Sequence, residues 1–287
     1  MALASDYHLF PHITVLVRGG GDVASGVIYR LHCAGFPVIV TELPTPLLIR
    51  RAVSYGDAVY SRQTTVEGVK ARLVESMAAA HSALSRGIVP VITEPERVVL
   101  EWTHPVIVVD GRMAKNRLDT TLSDAPLVIA LGPGYFAGRD CHAIVETNSG
   151  HRLGRVIWRG GAEADTGVPR EGHATYSRAL RAPMDGHVKP EAAIGDFIHT
   201  GQIIARIGDE AIAALYNGVL RGLIHERVFV KRGMKIADLD FQAQREHCFT
   251  LSDRSLAIGG GVLEAVFSAP QMRPYLQAKT DETATDV

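Results

Sequence analysis

Three consecutive glycines, Gly19, Gly20 and Gly21, precede Asp22 and Ala24 and form the loop Gly19-x-Gly21-x-x-Ala24 between an apolar run and a helix-like stretch. Glycines at this spacing allow a tight turn and let backbone N–H groups approach an anion, while the following helix directs the positive end of its dipole toward the same point. Glu42 stands 21 residues beyond Gly21, at the end of the next apolar run, where a carboxylate can accept a hydrogen bond from a ribose hydroxyl. Asp22 adds a carboxylate beside the loop, where it either faces a phosphate or caps the helix. The chemistry is that of holding a nucleotide or dinucleotide by its phosphates and sugar.

Other residues widen the choice. Asp140, Cys141 and His142 are consecutive, and a thiol beside an imidazole and a carboxylate reads as an activated catalytic nucleophile, a soft metal ligand, or a buried cysteine next to a hydrogen-bonded histidine. Neighbours in an extended segment point to opposite faces, so the spacing alone does not make Cys141 and His142 partners. Asp110, followed by Arg112 and Lys115, and the loop Gly132-Pro133-Gly134 end two further apolar runs. Arg112 and Lys115 could meet an anion there or remain solvated. The glycines at 259–261 repeat the glycine-then-helix pattern near the C-terminus, as a turn and helix start or as a second phosphate loop.

The elements that would position these residues are legible as alternation. Between residues 13 and 145, short β-branched runs, ITVLV, PVIVT, DAVY, IVPVIT, PVIVVD, APLVIAL and HAIVET, are separated by helix-like stretches such as ESMAAAHSALSRG. This is the pattern of βαβ units feeding a parallel sheet. In open sheets of this kind ligands bind beyond the carboxyl ends of the strands, and those ends carry the glycine loop, Glu42, Thr93-Glu94-Pro95, Asp110 and Gly132 to Gly134. Residues 148–181 break the alternation and mark a boundary or a long functional loop.

From 182 to 239 the chain repeats itself at an offset of 32 residues: Gly186 with Gly218, Val188 with Leu220, Ile198 with Val230, Gly201 with Gly233, Ile204 with Ile236 and Ala205 with Ala237. One such unit could not bury its apolar face alone, so two packed face to face are expected to form a small β sandwich. This resembles the barrel-sandwich hybrid of biotinyl and lipoyl carrier domains. Those carriers present a lysine on the hairpin joining the halves, whereas no lysine lies between Lys189 and Lys231 here. The resemblance implies the fold and a packing role without a swinging arm.

Composition narrows the class. Thirty Lys and Arg against 31 Asp and Glu give a formal net charge of -1, which supplies no bulk drive toward nucleic acid or an anionic membrane. Three scattered cysteines fit neither a disulfide framework nor a CxxC metal site, and suit a reducing cytoplasm. No apolar run approaches the roughly 20 residues a membrane helix requires. The expected organisation is a Rossmann-like nucleotide-binding α/β domain over residues 1–178 with a mostly parallel sheet, a barrel-sandwich-hybrid repeat domain over 179–242, a C-terminal helical segment over 243–277 and a disordered tail over 278–287.

Taken together, RGGGDVASGVIYRL, VTELPTPLLIRRAVSYGDAVY, VEGVKARL, ALGPGYFAGRDCHAIVETNSGHRLGRVIW and GVLRGLIHERVFVKRGMKIADLD closely resemble the YqeB family of selenium-dependent molybdenum hydroxylase system proteins. The N-terminal half is also similar to the Rossmann domain of XdhC-type accessory proteins. The resemblance implies a cytoplasmic accessory factor for maturation of molybdenum hydroxylases. Such a factor would bind a nucleotide such as NAD(P) or ATP, or a molybdopterin dinucleotide. Its partners would be the molybdenum hydroxylase apo-enzyme or other cofactor-maturation proteins, with homo-oligomers allowed. Two rival readings remain at this stage: an NAD(P)-dependent oxidoreductase and a non-catalytic interaction scaffold.

Overall fold

The computed structural model describes residues 7–114, 118–164, 179–242 and 244–277. Lys115, the boundary expected at 178 and the tail expected over 278–287 lie outside the described residues.

The first unit winds about a nine-stranded sheet. In chain order it contains β1 (Val15–Arg18), α1 (Asp22–Cys33), β2 (Val38–Thr41), α2 (Ala58–Ser61), β3 (Gln63–Val66), β4 (Val69–Leu73), α3 (Met77–Leu84), β5 (Val89–Ile92), α4 (Glu96–Thr103), β6 (Ile107–Asp110), β7 (Leu127–Leu131), β8 (Ala143–Val145) and β9 (Val156–Ile157). The sheet order is β3-β4-β5-β2-β1-β6-β7-β8-β9, parallel from β4 to β8 with an antiparallel strand at each end. The chain leaves β1 in one direction through β2 and β5, then returns to its other side through β6, β7 and β8. That reversal makes the gap beyond the ends of β1 and β6 a topological switch point, the place where open α/β sheets leave a crevice.

Alternation explains the layers. Val15 and Val17 of β1 join one buried cluster with Val27, Leu31, Ile258 and Val262, while Leu16 joins another with Ala80, Leu84 and Val99. Helices therefore cover both faces of the central strands, which accounts for their apolar character at every position. Ser76 caps α3 by accepting the N–H of Ala79 at 3.2 Å. The chain then turns at Gly87, whose φ is +66°, a conformation that favours glycine.

The second unit follows: β10 (Ala179–Arg181), β11 (Gly186–Pro190), β12 (Phe197–Ile198), β13 (Ile203–Ile207), β14 (Glu210–Ala213), β15 (Gly218–Leu223), β16 (Phe229–Val230) and β17 (Lys235–Asp240). They form two four-stranded antiparallel sheets, β10-β17-β15-β12 and β14-β13-β11-β16. The 32-residue repeat is visible as geometry, because β12 of the first half pairs with β15 of the second and β16 of the second pairs with β11 of the first. Val188, Leu220, Ile198, Val230, Ile204, Ile236, Ala205 and Ala237, the matched apolar positions, are all fully buried in one shared core.

The remaining chain carries two helices, α5 (Asp253–Ser268) and α6 (Arg273–Leu276), and α5 packs along α1 in the core of the first unit. The glycines 259–261 lie inside α5 and start no helix. A Cβ added at Gly259 would stand 2.4 Å from the Gly26 carbonyl oxygen, and one at Gly26 would stand 2.2 Å from that of Ser255. These glycines serve backbone contact between two helices, which removes the reading of a second phosphate loop.

DAVY is also corrected. Tyr55–Asp57 is a 3-10 turn running into α2, because the Tyr55 N–H donates to Ser25 Oγ at 3.0 Å and the Gly56 N–H donates to the Gly20 carbonyl at 2.9 Å. A short apolar run cannot by itself distinguish strand from helix, and here the tether to the glycine loop decides. The segment after β2 also joins the units: the Leu223 N–H donates to the Ile49 carbonyl at 2.9 Å, and the Tyr60 and His225 rings stack with centroids 3.8 Å apart.

Candidate ligand cleft

A cleft of about 1070 Å³ opens at the carboxyl edge of the parallel sheet. Gly19, Gly21, Asp22, Thr41, Glu42, Glu94, Glu96 and Arg112 line it from the first unit, Lys235 from β17, and Arg254 from α5. Leu43, Pro44, Leu47, Leu48, Pro95 and Met113 supply apolar wall.

The three loop glycines have different reasons for lacking a side chain. Gly19 has a φ of +85°, and a Cβ there would press on Arg112 at 3.2 Å. At Gly20 it would stand 2.6 Å from the Gly56 backbone nitrogen. Gly21 has an ordinary φ of -68°, and a Cβ there would meet only Leu48 Cδ2 at 3.6 Å. The protein's own packing requires Gly19 and Gly20 and leaves room at Gly21. Gly21 is the N-cap of α1, with no side chain capping the helix. Asp22 thus sits in the first helical turn and does not cap it. There it favours the helix dipole and lies 3.7 Å from Arg50.

Glu42 holds the loop in place. One carboxylate oxygen accepts the Gly20 N–H at 2.7 Å and the other the Leu43 N–H at 2.8 Å. Burial pushes the Glu42 carboxyl above its usual range, against the lowering effect of these two hydrogen bonds. Each oxygen retains further acceptor capacity, so the carboxylate can clamp the loop and still meet a ligand hydroxyl. Beside it, Thr41 is 1% exposed and its Oγ1 has no hydrogen-bond partner among the described residues. An unsatisfied buried hydroxyl is costly, and Thr41 lines the cleft.

Asp110 has a different task. Its Oδ2 accepts from Arg112 Nη2 at 2.7 Å, Thr120 Oγ1 at 2.7 Å and Tyr135 OH at 2.6 Å, while Oδ1 accepts from the Arg112 backbone N–H at 3.1 Å. Burial works to raise the Asp110 carboxyl, but the Arg112 guanidinium and the hydroxyls prevail and hold it below the usual carboxylate range. Arg18, at the end of β1 and almost fully buried, joins the same network through Thr120, Asp124 and Glu96. Neither Asp110 nor Gly20 lines the cleft, so both brace its floor. Arg112 does line it, but is occupied by Asp110, Glu96 and Asp119.

Four expected residues fall elsewhere. Gly132 and Gly134 adopt φ of +70° and +110° without lining the cleft. A Cβ at Gly132 would stand 2.4 Å from Thr147 Oγ1, so that loop is shaped by packing. Cys141 is fully buried in the core, and burial, aided by Asp140, pushes its thiol up to about 12. Burial of this kind suppresses the thiolate and keeps the sulfur from solvent, the condition of a packing cysteine. His142 accepts the Val128 N–H through Nδ1 at 3.0 Å, and burial lowers its imidazole. The catalytic reading of Cys141 and His142 is thereby corrected to the structural one: the pair packs and pins β7, and neither residue lines the cleft.

Sequence reasoning missed Arg50, Lys235 and Arg254. Arg50 donates to Asp238 Oδ2 through Nε at 2.8 Å, and Lys235 meets Asp238 Oδ1 at 3.0 Å. Arg254 Nε donates to the Thr147 carbonyl at 3.0 Å. Spacing gave no signal for them, because they come from a loop, a second unit and a distant helix.

Among known proteins, no family model matches the chain. It is 45% identical over 261 residues to a protein of Escherichia coli described as uncharacterized protein YqeB, covering 90% of this chain and 48% of that protein. A crystal structure of an aspartoacylase family protein from Mesorhizobium loti matches at 13% identity, covering 79% of this chain and 84% of that one, with a TM-score of 0.25. That likeness is too slight to bear on fold or function. The chain is therefore similar to a YqeB protein and spans about half the length of that curated relative.

Proposed function

We propose that the cleft holds a nucleotide-bearing ligand at the N-terminus of α1, and that the chain is a cytoplasmic accessory factor in molybdenum hydroxylase maturation, handling a nucleotide or a molybdopterin-type cofactor. The observation that carries the ligand reading is Gly21. It caps α1, where glycine is a favoured residue, it lines the cleft, and an added Cβ would meet only Leu48 at 3.6 Å among the described residues, so the space beside its backbone is open. A phosphate approaching the backbone N–H groups of a helix N-terminus fits that open space. Glu42, which lines the cleft beside the loop and keeps acceptor capacity on both oxygens, supports the same reading.

The molybdenum setting rests on the motif resemblance alone; the similarity to the uncharacterized YqeB protein agrees with the family name and carries no activity. The antiparallel unit is read as a barrel-sandwich hybrid used for packing, since its two halves interlock around one core and the turn between β13 and β14 carries Gly208 and Asp209 in place of a lysine. No histidine, cysteine or tyrosine lines the cleft among the described residues, which favours holding a ligand over hydride transfer by an oxidoreductase.

Isothermal titration of the full chain with NAD, ATP, CTP and a molybdopterin dinucleotide tests the ligand reading: one of them is expected to bind, and binding by none contradicts it. Capture of the molybdenum hydroxylase apo-enzyme, dependent on that ligand, is the expected result for the accessory role. Capture that is identical with and without ligand favours a scaffold.

A further inference from the structure

Resting on the nucleotide reading, we propose that Arg254 and Lys235 receive a second anionic group of the ligand, apart from the phosphate at α1. The cleft would then take a nucleotide bearing at least two anionic groups, such as a triphosphate or a dinucleotide, in preference to a nucleoside monophosphate.

Accounting for charge in the cleft leads to this assignment. Among the described residues five cations line it: Arg50, Arg97, Arg112, Lys235 and Arg254. Arg112 is matched by Asp110, Glu96 and Asp119. Arg97 pairs with Glu101 along α4. Arg50 and Lys235 share the buried Asp238, with Asp22 more distant from Arg50, and the Lys235 side chain keeps 38% of its surface exposed. Arg254 forms no ion pair among the described residues; its side chain donates only to the Thr147 carbonyl, through Nε.

The position of Arg254 sharpens the point. It stands in the first turn of α5, whose N-cap is Ser252, and a cation is disfavoured at that end of a helix. The Thr147 carbonyl fixes Nε and leaves the two terminal nitrogens of the fork, a geometry suited to a phosphate or carboxylate. α5 packs against α1 through Gly26 and Gly259, so a ligand at the α1 N-terminus and Arg254 are held by the same rigid helix pair.

The test is titration calorimetry of the full chain with ATP, NAD and AMP, for the wild type, Arg254→Gln, Arg254→Lys and Lys235→Gln. Arg254→Gln keeps a donor for Thr147 and removes the charge, and a thermal melt verifies that each variant is folded. The expected result is tighter binding of ATP or NAD than of AMP by the wild type. In Arg254→Gln that preference should fall at least tenfold with AMP affinity unchanged, Arg254→Lys should restore part of it, and Lys235→Gln should give a smaller loss. Folded variants with wild-type preference, or with equal losses for all three ligands, overturn the assignment while leaving the nucleotide reading standing. Failure of the wild type to bind any of them overturns both.

Discussion

The Arg50 guanidinium grips one oxygen of the Asp238 carboxylate, through Nε at 2.8 Å and Nη2 at 2.7 Å, across the seam between the parallel-sheet unit and the antiparallel unit. Asp238 is almost fully buried, and Lys235 holds its other oxygen. Removal of one partner of a buried pair leaves the other desolvated and unpaired. Asp238→Ala is therefore expected to destabilise the protein by about 3 kcal/mol, read as a lowered urea midpoint.

The same pair sets an acid limit. Burial works to raise the Asp238 carboxyl, but Arg50 and Lys235 hold it below the usual range. A depressed folded-state value means the stabilisation is complete above the unfolded carboxylate range, near pH 4, and is lost as pH falls through the folded value. Urea denaturation of wild type and Asp238→Asn from pH 7 to pH 3 is expected to show a stability gap that narrows only below about pH 4. A constant gap over that range speaks against the ion pair.

The contact of α1 with α5 supplies a prediction of opposite signs from the same substitution. Gly26→Ala drives a methyl against the Ser255 carbonyl, 2.2 Å away, and is expected to cost about 2–3 kcal/mol. Gly260, exposed in the interior of α5, has nothing within 4 Å of an added Cβ. Gly260→Ala should stabilise by about 0.5–1 kcal/mol through helix propensity alone. Thermal melts of the two variants separate these outcomes.

Cysteine chemistry is predicted to be confined to the surface. Cys33 is exposed, whereas Cys141 and Cys248 are buried, and burial raises both buried thiols. Brief iodoacetamide treatment of the native protein at pH 7.5, followed by peptide mass spectrometry, should label Cys33 and spare Cys141. Labelling of Cys141 at a comparable rate would restore it as a reactive group.

What was legible in the sequence is what depends on local periodicity. The β-branched runs flanking the glycine loop became β1 and β2, and the 32-residue repeat became interlocked half-units because matched apolar positions must face one core. Glu42 was legible as a carboxylate at the loop, since its position follows from strand length, though not as the clamp on Gly20. The hairpin of β3 and β4 went unread: Glu67 and Gly68 turn it with φ of +46° and +83°, and a single Glu-Gly step is a weak turn signal. Cys141 beside His142 looked like chemistry because adjacency in sequence hides burial. Arg254 and Lys235 stayed invisible because tertiary folding alone brings α5 and β17 to the cleft.

The central claim is that Gly21 is open because a ligand phosphate occupies its space. Gly21→Ala tests it most directly, since the fold has room for the methyl, with Leu48 at 3.6 Å. Titration of wild type and Gly21→Ala with the nucleotide panel, beside matched thermal melts, should show at most a small drop in melting temperature, from the weaker helix cap, and at least a tenfold loss of affinity in the variant. Equal affinity in the two proteins would contradict the account.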